Sequence, residues 1–192
     1  MVAPAPPLLP VFRSRLQGDL LAVLLVVPGT ELTLTALAGR TGGSLAAVQR
    51  ETSRLEEAGI LRSRRIGNAR LVSADPASPA IAPLTELVTL SFGPVQVLAE
   101  EFDGIADVDA LEVFGSWAAR HHGEHGAPPA DVDVLVVGSP DRDTVHDAAT
   151  RAEERIGLPV NATVVAPQRW ESGTDGFVTR VRESSRVPVP RR

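Results

Sequence analysis

The chain has 192 residues, 43% of them hydrophobic and 22% charged, with a formal net charge of −5. This composition reads as soluble and globular with room for two small domains, and the absence of cysteine excludes disulfides and thiolate metal sites. Residues 20–27 are apolar but far short of the roughly 20 that cross a bilayer, and residues 1–10 lack a basic start and cleavage site, so the expected location is the cytoplasm, with no membrane partner.

All basic residues are arginine. Residues 1–90 carry nine arginines against seven acids, a net of +2, and residues 91–192 carry ten against seventeen, a net of −7. A mildly basic half followed by an acidic one predicts two domains with different partners.

In chain order, residues 12–27 predict a Leu- and Val-rich helix ended by Pro28 and Gly29. Thr30 or Thr33 then caps a short helix over 34–40, Thr41-Gly42-Gly43 turns, and Ser44 caps a longer helix through Ala58 with Gly59 as its C′ residue. Residues 60–65 and 69–73 read as strands around Gly67-Asn68, both of which tolerate positive φ in a tight hairpin. The succession is the layout of a winged helix-turn-helix. Val48, Leu55 and Ala58 form the inward stripe of the longer helix, and Gln49, Arg50, Ser53 and Arg54 its outward face. Arg62, Arg64, Arg65 and Arg70 lie on the hairpin with Asn68 at its turn, placed to meet a minor groove or phosphates. A solvated face on a domain that mediates protein contacts is the alternative for these arginines.

Leu34-Thr35-Ala36-Leu37-Ala38-Gly39-Arg40-Thr41-Gly42, followed by Val48-Gln49-Arg50-Glu51-Thr52-Ser53-Arg54-Leu55-Glu56-Glu57-Ala58-Gly59-Ile60-Leu61, resembles the ArsR- and MarR-like winged-helix regulators over residues 12–75. The resemblance implies a transcription regulator that binds double-stranded DNA, contacting it through Ser44 and the helix and hairpin residues named above. It also implies a homodimer formed through flanking helices, here 12–27 and 83–102. This half has no cysteine or histidine, so the metal-sensing sites of some ArsR relatives do not carry over.

Residues 83–102 predict a helix interrupted at Gly93-Pro94. A strand over 108–114 leads into a Gly115-Ser116 turn and a helix to about Arg120, then a loop over 121–130 and a strand over 131–137. A helix over 141–156, a strand over 158–165, a turn over 167–170, a helix over 176–183 and a loose tail from Arg186 complete the chain. Residues i and i+2 of a strand face the same side, so Asp131 and Asp133 converge on one divalent cation. A Gly-Ser turn opening a helix offers N–H groups and a hydroxyl to a phosphate. The pair predicts a place for a metal-bound nucleoside triphosphate.

Residues 108–165 resemble the minimal nucleotidyltransferase superfamily through Gly115-Ser116 and Asp131-Val132-Asp133. The resemblance implies a mixed sheet with flanking helices, Gly115 and Ser116 on the triphosphate, and Asp131 and Asp133 holding two Mg²⁺ ions. Asn161 stands where that superfamily places a third carboxylate; it can coordinate a metal through its carbonyl oxygen, but it brings no negative charge and cannot act as a base. Glu153 and Glu154 are the nearest acids in sequence. Arg120 is placed to neutralise a phosphate or to end a helix exposed. His121, His122 and His125 cluster with Glu124 as a zinc site or a solvated loop, and Trp117 and Trp170 either stack on a base or pack in the core.

The expected fold class is α+β in two domains: a winged helix-turn-helix over 1–82, a helical linker and dimerisation segment over 83–107, and a nucleotidyltransferase-like domain over 108–192. Two functions follow. One is a DNA-binding transcription regulator whose second domain senses a nucleotide or metal, or serves as a scaffold. The other is an active Mg²⁺-dependent nucleotidyltransferase, with Asp131 and Asp133 catalytic, that modifies a hydroxyl of a protein, RNA or small molecule and is targeted by the winged helix.

Overall fold

A computed structural model describes residues 11–124 and 127–191, and the chain divides between Gly93 and Pro94 into two units. In the first, α1 (Arg15–Leu25) is capped by Ser14, whose hydroxyl accepts from Gln17 N at 3.2 Å. Its buried Leu20, Leu21, Leu24 and Leu25 recur at helical spacing and form the inward stripe. A short β1 (Glu31–Thr33), absent from the sequence expectation, follows. Thr33 caps α2 (Leu34–Thr41), accepting from Ala36 N at 3.1 Å, and Gly42 ends it in the left-handed region at φ 66°.

Ser44 caps α3 (Leu45–Glu57) through Ala47 N at 3.3 Å. At its far end Gly59 takes φ 69°, its N–H bonds Glu56 O at 2.9 Å, and Ile60 N–H bonds Leu55 O at 2.9 Å. This pair of bonds satisfies carbonyls that the helix leaves open, and a left-handed residue is needed to make it. The inward stripe of α3 differs from the expectation: Val48, Glu51, Thr52 and Leu55 are buried, whereas Ala58 is exposed because the chain has already begun to turn away there.

Strands β2 (Leu61–Ile66) and β3 (Ala69–Ala74) pair antiparallel, with Ile66 opposite Ala69 across a two-residue turn. Gly67 takes φ 56° while Asn68 stays at negative φ, so the turn needs the left-handed region only at its first central residue. The sheet order is β1-β3-β2. Helix α4 (Ile81–Phe92) returns against α1, and Leu24, Leu37, Val48, Leu55, Leu61, Val72, Val88 and Phe92 share one core. Helix, strand, helix, helix, hairpin is the winged helix-turn-helix arrangement, with α3 in the reading position and β2–β3 as the wing.

The second unit begins with α5 (Pro94–Glu101). It continues with β4 (Val108–Phe114), α6 (Gly115–His121), β5 (Val132–Gly138), α7 (Arg142–Ile156) and β6 (Val160–Val165), then α8 (Pro167–Ser172), α9 (Gly176–Glu183) and β7 (Arg186–Pro188). Sheet order is β6-β5-β4-β7; β5 and β6 are parallel, joined by α7, and the other pairings are antiparallel. Apart from Asp133, the central β5 is apolar because both its faces are covered. Val132, Val134 and Val136 join the cluster containing α5 and α7 residues, and Leu135 and Val137 join Val165, Val178 and Val181.

Two segments differ from the sequence expectation. Residues 167–170 form part of helix α8 rather than a turn, with Pro167 at its first position, where a missing N–H does no harm. The tail from Arg186 is not loose: β7 pairs with β4, Val187 and Val189 are buried, and Arg191 donates to Ile105 O at 2.7 Å. Pro188 is tolerated because β7 is an edge strand. Residues 81–101 have the length and mean hydropathy, 1.3, of a membrane span. The helix nevertheless breaks at Gly93, at ψ −170°, and its two parts pack in separate cores.

Candidate functional site

The winged unit presents its basic residues on α3 and the wing. Gln49, Arg50 and Arg54 are exposed on α3 and Ser53 is half-buried; Ser44 spends its hydroxyl on the cap. On the wing, Arg62, Arg64, Arg65 and Asn68 are exposed and Arg70 is half-buried. Three of these arginines meet carboxylates. Arg54 Nη1 lies 3.0 Å from Glu51 Oε2, and Arg70 pairs with Glu56 while its Nε reaches Ser63 Oγ at 3.2 Å. Arg64 grips Glu31 with both arms of its fork, Nε to Oε1 at 2.6 Å and Nη2 to Oε2. The Arg64 hydrogen bond holds the Glu31 carboxyl below its usual range, with the Arg62 charge adding to it. Among the described residues, Arg50, Arg62 and Arg65 have no ion pair or side-chain hydrogen bond. Glu31 was invisible to the sequence reasoning because it lies on the unforeseen β1, 33 residues from its partner.

In the second unit the register places Phe114, Asp133 and Asn161 side by side on β4, β5 and β6. Asp131 sits one residue before β5 rather than on it. The carboxylates still converge, through Asn161: its Nδ2 donates to Asp131 Oδ2 at 3.0 Å and to Asp133 Oδ1 at 3.3 Å. Gly115 has φ 73°, and a Cβ there would lie 2.8 Å from Asp133 Oδ2. Its lack of a side chain thus makes room for the Asp133 carboxylate. Burial pushes the Asp133 pKa up, the Asn161 hydrogen bond pulls it down, and the charge of Asp131 pushes it up again.

This donor set does not fit the two Mg²⁺ ions that the resemblance implies. Magnesium takes oxygen lone pairs in octahedral array, and here an N–H donor occupies the place between the two carboxylates. No group of three or more His, Asp or Glu residues with metal-site geometry occurs among the described residues. Glu153 accepts from Val160 N at 3.2 Å and Glu154 is exposed on α7, so neither replaces the missing acid. The arrangement predicts the behaviour of Asn161→Asp. It removes the bridging donor and adds a third negative charge, which raises the Asp133 pKa further. A carboxyl with a raised folded-state pKa favours folding while protonated, and that contribution is lost as pH rises through its folded value. Thermal melts of the variant should fall by several degrees as pH rises from about 4, the unfolded carboxyl value, towards neutrality and recover with Mg²⁺, whereas the unsubstituted chain should not respond to Mg²⁺. A wild-type melting point raised by Mg²⁺ would show that the site accepts the cation after all.

Ser116 is exposed at the opening of α6, and Arg120 Nη2 donates to Ala127 O at 2.9 Å, tying down its loop. His121 stacks on Trp117 at 5.2 Å, and burial followed by the His122 charge lowers its pKa. His122 Nε2 lies 3.0 Å from Arg186 O, and His125 falls outside the described residues. Trp117 is a core residue, 5% exposed. Trp170 is flanked by the guanidinium groups of Arg182 and Arg186, 4.9 and 5.6 Å from its ring centre, so its ring is already engaged.

Comparison with solved structures gives partial likenesses to winged-helix regulators. Reduced HlyU from Vibrio cholerae is 19% identical, with 40% of this chain and 75% of that chain covered and a TM-score of 0.33. ZitR of Lactococcus lactis, as a cysteine-to-serine mutant, is 20% identical over 41% of this chain and 52% of that chain, with a TM-score of 0.35. The same mutant in complex with DNA is 22% identical over 48% and 64%, again at 0.35, so the chain spans between about half and two thirds of ZitR. No family model and no curated protein matches the chain.

Proposed function

We propose that the chain is a DNA-binding transcription regulator that works as a homodimer in the cytoplasm. Its C-terminal domain keeps a nucleotidyltransferase-like layout without transferase chemistry. The observation that carries the first part is the exposure of Arg50 and Gln49 on the reading helix and of Arg62 and Arg65 on the wing, these three arginines making no ion pair among the described residues. Unpaired arginines supply the phosphate contacts that hold a protein on duplex DNA, and Gln49 and Arg50 have the donors and acceptors that distinguish bases in the major groove. Selection of the purified protein on a random duplex library, followed by sequencing, should enrich a two-fold symmetric motif. Enrichment of nothing would remove this function. Support for the dimer comes from Leu87 and Leu90, 45% and 58% exposed on the outer side of α4, where a second copy would cover them.

The absence of transferase chemistry rests on Asn161, which bridges the two aspartates with a donor. No label should pass from any α-labelled nucleoside triphosphate to protein or lysate with Mg²⁺ or Mn²⁺. Transfer that disappears in an Asp131→Ala, Asp133→Ala double variant would make the chain an enzyme. The exposed Ser116 favours a second role, in which the domain reports bound nucleotide to the DNA-binding unit. Operator affinity with and without saturating nucleotide decides that, since a ligand shifts an equilibrium only by its differential affinity for the two states.

A further inference from the structure

Half of the basic side chains on the reading face are held by acids of the same unit, and the three pairs differ in kind. Arg70 and Glu56 are both about a quarter exposed, 24% and 22%, and that pair ties the wing to α3. Glu51 is buried beneath Arg54, with side-chain exposures of 8% and 47%. Arg64 is 58% exposed and is gripped from below by Glu31 on β1, at 25%. Exposed ion pairs contribute little to stability, on the order of 0–1 kcal/mol, so stability does not account for the Glu31–Arg64 pair. Its geometry is that of the two-armed grip by which arginine binds a phosphate. Glu31 and Arg62 both lie opposite Ser73 in the sheet, and residues so paired point to one side, so the carboxylate acts on Arg62 as well.

We propose that Glu31 is an internal competitor of the DNA backbone. It occupies the Arg64 fork and offsets part of the Arg62 charge, so that these two wing arginines add less sequence-independent affinity than their exposure implies and discrimination falls to Gln49 and Arg50 on α3. This inference rests on the DNA-binding function proposed above and names the residue that sets its selectivity. An arginine can serve the carboxylate or a phosphate but not both with one fork, so the Glu31 grip must be broken before Arg64 contributes. Each phosphate that an arginine newly neutralises steepens the dependence of log affinity on log salt by about 0.9.

The test compares full-length protein, Glu31→Gln, Glu31→Ala, and Glu31→Gln combined with Arg64→Ala. Binding is measured to a labelled random-sequence duplex and to the selected operator, from about 50 mM to about 200 mM salt. Both single variants should bind random duplex roughly tenfold more tightly, with a slope steeper by about 1, and should lose part of the operator-to-random ratio. Adding Arg64→Ala should return the slope to the wild-type value. Two results overturn the inference while leaving DNA binding intact: an unchanged slope in both single variants, or weaker binding in both, which would make Glu31 a positioning residue. Failure of the wild-type protein to bind any duplex removes the DNA-binding function itself. Agreement between the glutamine and alanine variants, with melts close to wild type, separates the charge effect from misfolding.

Discussion

Replacing Arg50, Arg62 and Arg65 together by alanine should lower affinity for duplex DNA roughly a hundredfold or more at physiological salt, and make the salt dependence shallower by about 2.7 per chain. These arginines are exposed and make no ion pair among the described residues, so most of their charge stays available to phosphates, Arg62 alone sharing part of its charge with Glu31. For the same reason the fold should hardly notice, because surface substitutions away from specific contacts stay within about 0.5 kcal/mol. The contrasting triple, Arg54, Arg64 and Arg70 to alanine, should do the reverse. Its arginines are already partly neutralised by Glu51, Glu31 and Glu56, so less DNA affinity is there to lose. It instead strips partners from two carboxylates, each of which already has one buried oxygen with no hydrogen bond, and an orphaned polar group costs about 1–3 kcal/mol. Fluorescence anisotropy across a salt series, with circular-dichroism melts of both triples, separates the cases. Equal loss of affinity in the two would mean that the ion pairs do not govern the basic face.

Sequence carried most of the framework because its strongest signals are local. Ser44, Thr33 and Gly59 stand at the helix ends they were expected to cap, since a cap depends on residues within a few positions of itself. Strands β4 and β5 were legible from runs of valine and leucine between turns. What escaped depends on distant partners. Strands β1 and β7 are three residues long and exist because β3 and β4 offer an edge. Pro188, beside the chain's arginine-rich end, disguised the alternation of Val187 and Val189. The resemblance put Asn161 at the third-carboxylate position, but not that its amide would donate to both aspartates. No charge pattern at helical spacing reveals that Arg64 is spent on Glu31, because the two meet only after β1 joins the sheet. That loss matters for function, since a count of arginines overstates how many are free to hold DNA.

Gly18→Ala should destabilise the winged unit by about 1–2 kcal/mol, against the usual sign of this substitution. Inside a helix, glycine to alanine ordinarily stabilises by about 1 kcal/mol. Gly18, however, lies in α1 beneath the ring of Phe92 from α4, and an added Cβ would fall 2.2, 2.3 and 2.6 Å from three ring atoms. Phe92 is 3% exposed and packs edge-on against Phe12 with ring centres 5.1 Å apart, so the ring has no free space to move into. Overpacking of a closed core costs about 1–3 kcal/mol and sometimes more, which exceeds the propensity gain. For a unit of this size each kcal/mol moves the melting point by about 4–8 °C, so a fall of roughly 10 °C is expected. Gly39→Ala is the control: Gly39 is in α2 with nothing within 4 Å of an added Cβ, and that variant should melt slightly higher than wild type. Phe92→Leu combined with Gly18→Ala should recover part of the loss by removing the atoms in conflict. The α1–α4 packing also sets how α4 presents Leu87 and Leu90. A shifted α4 should therefore weaken self-association, measured by light scattering, before it unfolds the unit. A Gly18→Ala protein that melts like wild type would mean that α1 and α4 are not packed as closely as this contact requires.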